Sequence, residues 1–522
     1  MLKKKRELGF FDALIMGLSG AIGFEVFVVL GYPYFELNLQ INIVFGLLVA
    51  GVLNLLIMLT YCELSTAMPE VGGVYTYIKA AYGSFVPFIS GCFRWLASIF
   101  GAALAARVFY LQLVYLLVIA LNLQGLTSKL SAFAPFVTIV VVVIMASLAV
   151  KGSRGVGIAI VFAFLAISAI LIGITLVRLP DLSPIEDSAK SLPSDISGVL
   201  ATAAYTFTMF FGVRSLIAGA ARVKNPSKNL PKAILLSALV IIPLYIGIAY
   251  TLVIPVSHQE LLAAQDNATL ALNVTGSLHE GDIPFLNLAA QENFEKWGGE
   301  DLGAMAGMIG GALISVAGMI ASLSALGTSL SVQASILRGM GRDAYLPRIL
   351  HSVHERFGTP HIAIIAGSLC VMFLSTLDVP LLNFAAGIAS LIVFAVVNLS
   401  LMKLRQVKPN MERPFKTPLY PFTPIASIIM SMVLIVAAVF SAREEVGNAL
   451  MAFVGLTGLV LMAYYLKMVG SHRLKIGLGG AGVGAGVSLG LLTYLVEMGF
   501  NHILLVMSVI IVVVGIYAIL RG

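Results

Sequence analysis

Gly17-Leu18-Ser19-Gly20-Ala21-Ile22-Gly23-Phe24-Glu25-Val26-Phe27 puts three glycines and a carboxylate in the middle of an apolar run that extends from 14 to 35. A run of that length crosses about 30 Å of hydrocarbon as a helix, because only a helix bonds every backbone amide within its own segment. Charges at such depth are expensive and mark function, and clustered glycine lets a helix lose its winding. A second run, 197–222, repeats the pattern with opposite charge: Phe207-Thr208-Met209-Phe210-Phe211-Gly212-Val213-Arg214. Interrupted spans in corresponding positions of two halves, the first and the first plus five, point to an inverted-repeat carrier whose exposed amides and carbonyls hold a ligand.

The rest of the chain has the composition of a membrane protein. It has 522 residues, 59% of them apolar and 11% charged, and a mean hydropathy of +1.00, against about a quarter charged in soluble domains. That excludes a soluble multidomain enzyme, and no nucleophile, base and orienter set is present. Three cysteines, Cys62, Cys92 and Cys370, cannot form a disulfide framework. The net charge of +7 is scattered along the chain and not gathered on one surface, which excludes nucleic acid as a partner.

Fourteen apolar runs read as spans of an all-α polytopic protein: 14–35, 41–64, 84–120, 132–150, 156–177, 197–222, 233–256, 303–337, 361–377, 381–402, 422–441, 447–467, 476–497 and 502–520. With the N-terminus inside, the cytoplasmic segments hold 24 of the 32 Lys and Arg, while 17 of the 25 Asp and Glu fall outside. The basic bias sets orientation, so both termini are expected in the cytoplasm of a cell-membrane protein. Residues 1–13 form a cytoplasmic tail. The stretch 257–301 reads as a solvated outer insertion, with acceptor sequons at Asn267 and Asn273.

Several strings, in order, resemble the amino acid, polyamine and organocation transporter superfamily. Gly23-Phe24-Glu25-Val26-Phe27 is a variant of its G-x-G-I-F segment. Tyr61-Cys62-Glu63-Leu64, with Pro69, Gly72, Gly73, Tyr75 and Tyr77, is similar to its Y-x-E-L…P-x-x-G-G-x-Y-x-Y stretch. Lys224-Asn225-Pro226, Arg342-Asp343-Ala344-Tyr345-Leu346-Pro347 with Gly358-Thr359-Pro360, and Arg413-Pro414-Phe415-Lys416 resemble the loops after its sixth, eighth and tenth helices. The stretch from Phe422 onward carries no such motif.

The resemblance implies a LeuT-like core of two inverted five-helix repeats, 14–178 and 197–402, followed by accessory helices over 422–522. It implies a permease working by alternating access on an amino acid or related amine, either proton-coupled or as an exchanger. The substrate carboxylate would meet amides of Gly23, Phe24 and Glu25. The ammonium would meet carbonyls near Ala21 and Ile22 and in an unwound stretch at Phe207, Thr208 and Met209. Phe207 or Phe210 would supply an aromatic gate.

The departures matter as much. The family usually has glycine at the position of Glu25, an acid or amide near Arg214 and two acids at Ala221-Arg222. A carboxylate at 25 repels a substrate carboxylate by about 1 to 4 kcal/mol. Three roles for Glu25 stay open: an ion pair with Arg214 across the breaks, a proton carrier, or a direct ligand of a substrate ammonium. The last favours a polyamine or organic cation, and a membrane receptor that binds without cycling is a further alternative. For coupling, the candidates are H+ through Glu25, or Na+ held by Ser322 and Ser324 with carbonyls of the first span; as small residues, these serines also suit helix packing. No cofactor or resident metal is expected. His351-x-x-His354 lacks a third ligand. Glu63 is expected to pair with a basic residue of a cytoplasmic loop, and Arg94 and Arg107 to line a vestibule or snorkel to an interface.

Overall fold

The protein is described from a computed structural model covering residues 8–441 apart from 22, 36–41, 70–72, 84, 121–126, 152–195, 214–215, 218–222, 254–257, 272–283 and 344. The runs at 156–177, 447–467, 476–497 and 502–520 lie outside the described residues, as do Ile22, Arg214 and Asn273. The described part is helical throughout, with a single isolated β-bridge between Leu8 and Val223.

The first span is α1 (Phe10–Ala21), a 3-10 turn (Phe24–Phe27) and α2 (Gly31–Phe35). It is followed by α3 (Asn42–Ala67), α4 (Val74–Tyr82), α5 (Phe85–Tyr115) and α6 (Thr127–Lys151). The sixth span is α7 (Ile196–Thr206) continued by a 3-10 stretch (Phe207–Val213). Then come α8 (Pro226–Val253), α9 (His258–Ala271), α10 (Phe285–Arg342), α11 (His361–Leu374), α12 (Val379–Val407) and α13 (Phe422–Ser441). Proline opens α8 and stands second in α12, where its missing N–H leaves no helical bond unmade. Among the described residues, six helices are long and apolar enough to cross a membrane. Their apolar character runs round the whole circumference, as it must where one face meets protein and the other lipid.

The insertion over 257–301 is not the solvated loop expected from its acidity. It contains α9 and the first part of α10, which reverses at Gly299, whose φ of 67° only glycine holds without strain. The segment before the kink then folds back along the segment after it. A Cβ on Gly303 would stand 2.7 Å from the Glu295 carbonyl oxygen and one on Gly307 3.1 Å from that of Gln291, so this Gly-x-x-x-Gly pair lets two backbones touch. The apolar string Phe285–Ala290 is buried, and Phe285 packs on Tyr34 and Phe35 at the end of the first span. Asn287 donates to Gln112 Oε1 and Ser315 Oγ, both at 2.7 Å, which fixes the hairpin on α5. Asn267 is exposed on α9.

Two polar clusters fasten the end of the bundle that carries the N-terminus. Glu63, at the close of α3, accepts from Arg405 Nε at 2.9 Å, Arg405 Nη2 at 2.6 Å and the Thr417 amide at 2.7 Å. Arg413 Nε stands 3.3 Å from the same carboxylate while its other nitrogens donate to carbonyls at the end of α12. At the end of α10, Asp343 accepts from Tyr75 and Lys79, each at 2.7 Å, with Arg342 at 3.5 Å. Burial alone would raise the Asp343 carboxyl; the hydrogen bonds from Lys79 and Tyr75 and the charges of Lys79 and Arg342 outweigh it and hold it below its usual value. A depressed carboxyl stabilises the fold above its unfolded pKa and loses that contribution as pH falls. The melting-temperature deficit of Asp343→Asn is therefore expected to stay constant between about pH 5 and 8 and to shrink only below the ordinary carboxyl range. A deficit that disappears near neutrality would contradict this latch.

Candidate functional site

The break in the first span is a real loss of winding. α1 ends at Ala21, Gly23 is extended (φ −88°, ψ 166°), and the chain then turns tightly over Phe24–Phe27. Gly23 is required for space: a Cβ there would collide with the Glu25 carboxylate, whose Cδ lies 2.8 Å from that position. Glu25 is partly buried and thus folds its carboxylate back over the break. With Arg214 outside the described residues, the proposed pair between them is not placed.

The sixth span differs from expectation. Phe207, Thr208 and Met209 are not unwound but wound more tightly, as 3-10 helix, and the same winding carries Phe210 and Gly212. Residues Phe207 to Phe211 contain neither proline nor glycine, so no residue there forces the chain to open fully. The switch from α to 3-10 changes the hydrogen-bond register, and carbonyls at the switch turn to partners outside the helix. Tyr205 O accepts from Asn383 Nδ2 at 2.9 Å, and Met209 O accepts from the Tyr245 hydroxyl at 3.2 Å.

Tyr245, on α8, joins the two breaks. Its hydroxyl accepts from the Gly23 amide at 3.2 Å while donating to Met209 O. One oxygen thus satisfies a donor of the kind a carboxylate takes and an acceptor of the kind an ammonium takes. Neither Tyr245 nor Asn383 belongs to the residues expected from sequence; each stands singly among apolar neighbours along its helix, which leaves no periodic trace.

Two aromatic clusters pack around the sixth span. Phe207 meets Phe211 at 5.7 Å and Phe394 at 5.8 Å, and Phe394 meets Tyr61 at 5.9 Å, all edge to face. Toward the other end of the bundle Tyr32 stacks on Tyr205 at 4.7 Å, with Phe384 edge-on to both. Phe210 packs on Tyr245 at 5.4 Å. Such edge-to-face pairs add to the stabilisation from burial.

Of the coupling candidates, Glu25 lies at the first break and the two serines lie on α10. The buried Ser322 hydroxyl donates to Gly318 O one turn back, at 2.7 Å, and Ser324 is half-buried. Among the described residues no three His, Cys, Asp or Glu side chains gather as a metal site. Arg107 is buried on α5 with its guanidinium 5.8 Å from the Tyr110 ring centre, which corrects the expectation that it snorkels to an interface. Arg94 donates to Ser98 at 3.1 Å.

The sequence matches the family described as amino acid permease over residues 8–463. It is 25% identical over 452 residues to the branched-chain amino acid permease BcaP of Bacillus subtilis, covering 83% of this chain and 88% of that one. It is 26% identical over 474 residues to the serine/threonine exchanger SteT of the same organism, covering 87% and 95%. It is 25% identical over 438 residues to a methylthioribose transporter, again from Bacillus subtilis, covering 81% and 86%.

Proposed function

This chain belongs to the amino acid permease family, and on that premise we propose that it carries an amino acid across the membrane it spans by alternating access. The substrate is held between the break at Gly23 and the 3-10 stretch Phe207–Val213. One observation carries the reading. The Gly23 amide and Met209 carbonyl, opposite in polarity, converge on the single Tyr245 hydroxyl inside an apolar bundle, and a zwitterion offers both the partners that this oxygen now supplies. Aromatic clusters on either side of Phe207 suit a carrier that exposes such a site to one side at a time. The relatives' names span branched-chain amino acids, hydroxyl amino acids and methylthioribose, so the family site is adaptable and the cargo is set by the side chains around the break.

The two repeats over 14–178 and 197–402, the accessory segment 422–522 and cytoplasmic termini in a cell membrane belong to the same proposal, supported by the bias of basic residues toward alternate loops. A second reading, a carrier of polyamines or other organic cations, is favoured by one feature: the Glu25 carboxylate covers Gly23, where a substrate carboxylate would sit. Counterflow of labelled solute in proteoliposomes tests both. Competition by neutral amino acids is expected, and competition by polyamines alone would establish the second reading. No counterflow with any of these, despite binding, would leave a receptor. Drive is assigned to a proton or to an exchanged solute. Glu25→Gln is expected to flatten the pH profile of uptake if Glu25 carries the proton, and an unaltered profile removes it from that role.

A further inference from the structure

We infer that Asn383 on α12, acting through Thr208, is a positioning residue for the substrate site; this rests on the site reading above and adds a residue to it. The switch from α to 3-10 winding in the sixth span is held from outside at two places. Tyr245 takes the Met209 carbonyl on one side, and Asn383 takes the Tyr205 carbonyl on the other, through Nδ2 at 2.9 Å. The same carboxamide accepts from the Thr208 hydroxyl through Oδ1 at 2.6 Å, with Tyr205 O 3.3 Å from that hydroxyl. Asn383 is 0% and Thr208 1% exposed, so no water replaces these bonds when one is deleted.

Each member of the triangle needs the other two. A hydroxyl fixed by Asn383 holds residue 208 in one rotation, and the neighbouring Met209 carbonyl is the one that reaches Tyr245 at the break. Without the carboxamide, the Tyr205 carbonyl and the Thr208 hydroxyl each lose their shorter bond and keep the longer 3.3 Å contact with each other, a weakened state that buried polar groups relieve by moving. The cheapest movement is renewed α winding at 207–209, which would turn Met209 O away from Gly23. Asn383 thus acts on substrate affinity without touching the substrate.

The helix supplies its own control. Asn398 lies on α12, is equally buried, and makes the same kinds of bond: it accepts from Thr60 Oγ1 at 2.6 Å and donates to Phe394 O at 2.9 Å and Ser427 Oγ at 3.0 Å. Its partners lie on α3, α12 and α13, not on the switch. A purely structural role would make the two asparagines equivalent.

The test is uptake into proteoliposomes of labelled L-leucine, L-serine and L-arginine by the full chain, using whichever the wild type takes up fastest, with melting temperature measured beside KM and Vmax. Asn383→Leu and Thr208→Val are each expected to raise KM about tenfold, the size of one lost hydrogen bond, with a smaller change in Vmax. Thr208→Ser should stay within about twofold of wild type, because the hydroxyl remains. The double variant should be no worse than the worse single, as for groups acting as a unit. Asn398→Leu should lower melting temperature and leave KM alone. An unchanged KM in folded Asn383→Leu, or an equal rise in Asn398→Leu, overturns the inference. Should Asn383→Leu fail to fold, Thr208→Val and Thr208→Ser with equal KM overturn it alone. A wild type that takes up none of the three probes overturns the site reading itself, and this inference with it.

Discussion

Arg405→Ala is expected to lower the unfolding free energy by about 3 kcal/mol, the lower end of what breaking a buried ion pair costs. The Glu63 side chain is 1% exposed and takes two of its hydrogen bonds from Arg405, whose guanidinium also lies 3.8 Å over the Tyr420 ring. After truncation the carboxylate keeps only the Thr417 amide and Arg413 at 3.3 Å. Most of the loss comes from the stranded charge and not from the value of the pair, so Glu63→Leu combined with Arg405→Leu should regain much of it. Arg413 then still has the carbonyls of Leu404, Lys408, Pro409 and Met411. Denaturant unfolding of the detergent-purified protein measures both. A single variant within about 0.5 kcal/mol of wild type, the range of ordinary surface changes, would mean that this cluster does not hold α3 to α12.

Tyr245→Phe should act on the empty protein and on binding in opposite senses. Deleting the hydroxyl leaves the Gly23 amide and Met209 carbonyl buried and unpaired, at a cost of about 1 to 3 kcal/mol for each such group. A substrate that supplies a carboxylate and an ammonium relieves that cost, so the variant is expected to melt lower when empty and to bind the transported amino acid about tenfold more tightly. Slower turnover should accompany the tighter binding, because release must restore the unpaired state. Equilibrium binding beside a thermal-shift titration decides. Weaker binding in the variant would mean that the hydroxyl stays beside the substrate as a ligand and is not displaced by it.

Much of this was readable from the chain. The break at Gly23 follows from glycines and a carboxylate at the depth where a helix has no water to fall back on. The partner of Glu63 was foreseeable in kind, because a carboxylate at a span's end beside a basic loop has few other neighbours. The other half of the site was not legible. Tyr245 bonds Gly23 across 222 positions and Asn383 bonds Tyr205 across 178, and such contacts are created by packing rather than by local pattern. The 3-10 winding at Phe207–Val213 also carries no local signature, since its first five residues suit a regular helix. The hairpin at 285–311 did leave one, the Gly303-x-x-x-Gly307 pair and the apolar string before it, but the surrounding acids outweighed it in a reading by composition.

The bridge between Leu8 and Val223 gives the carrier a mechanical property. The Lys224 amide donates to Leu8 O at 2.8 Å, which ties the strand of chain entering α1 to the one leaving the sixth span. On the alternating-access reading, a tilt of α1 away from the bundle would either carry that neighbour with it or break this bond, at a cost of about 1 kcal/mol. On that reading the two would swing as coupled panels, and cutting the chain before residue 9 would uncouple them.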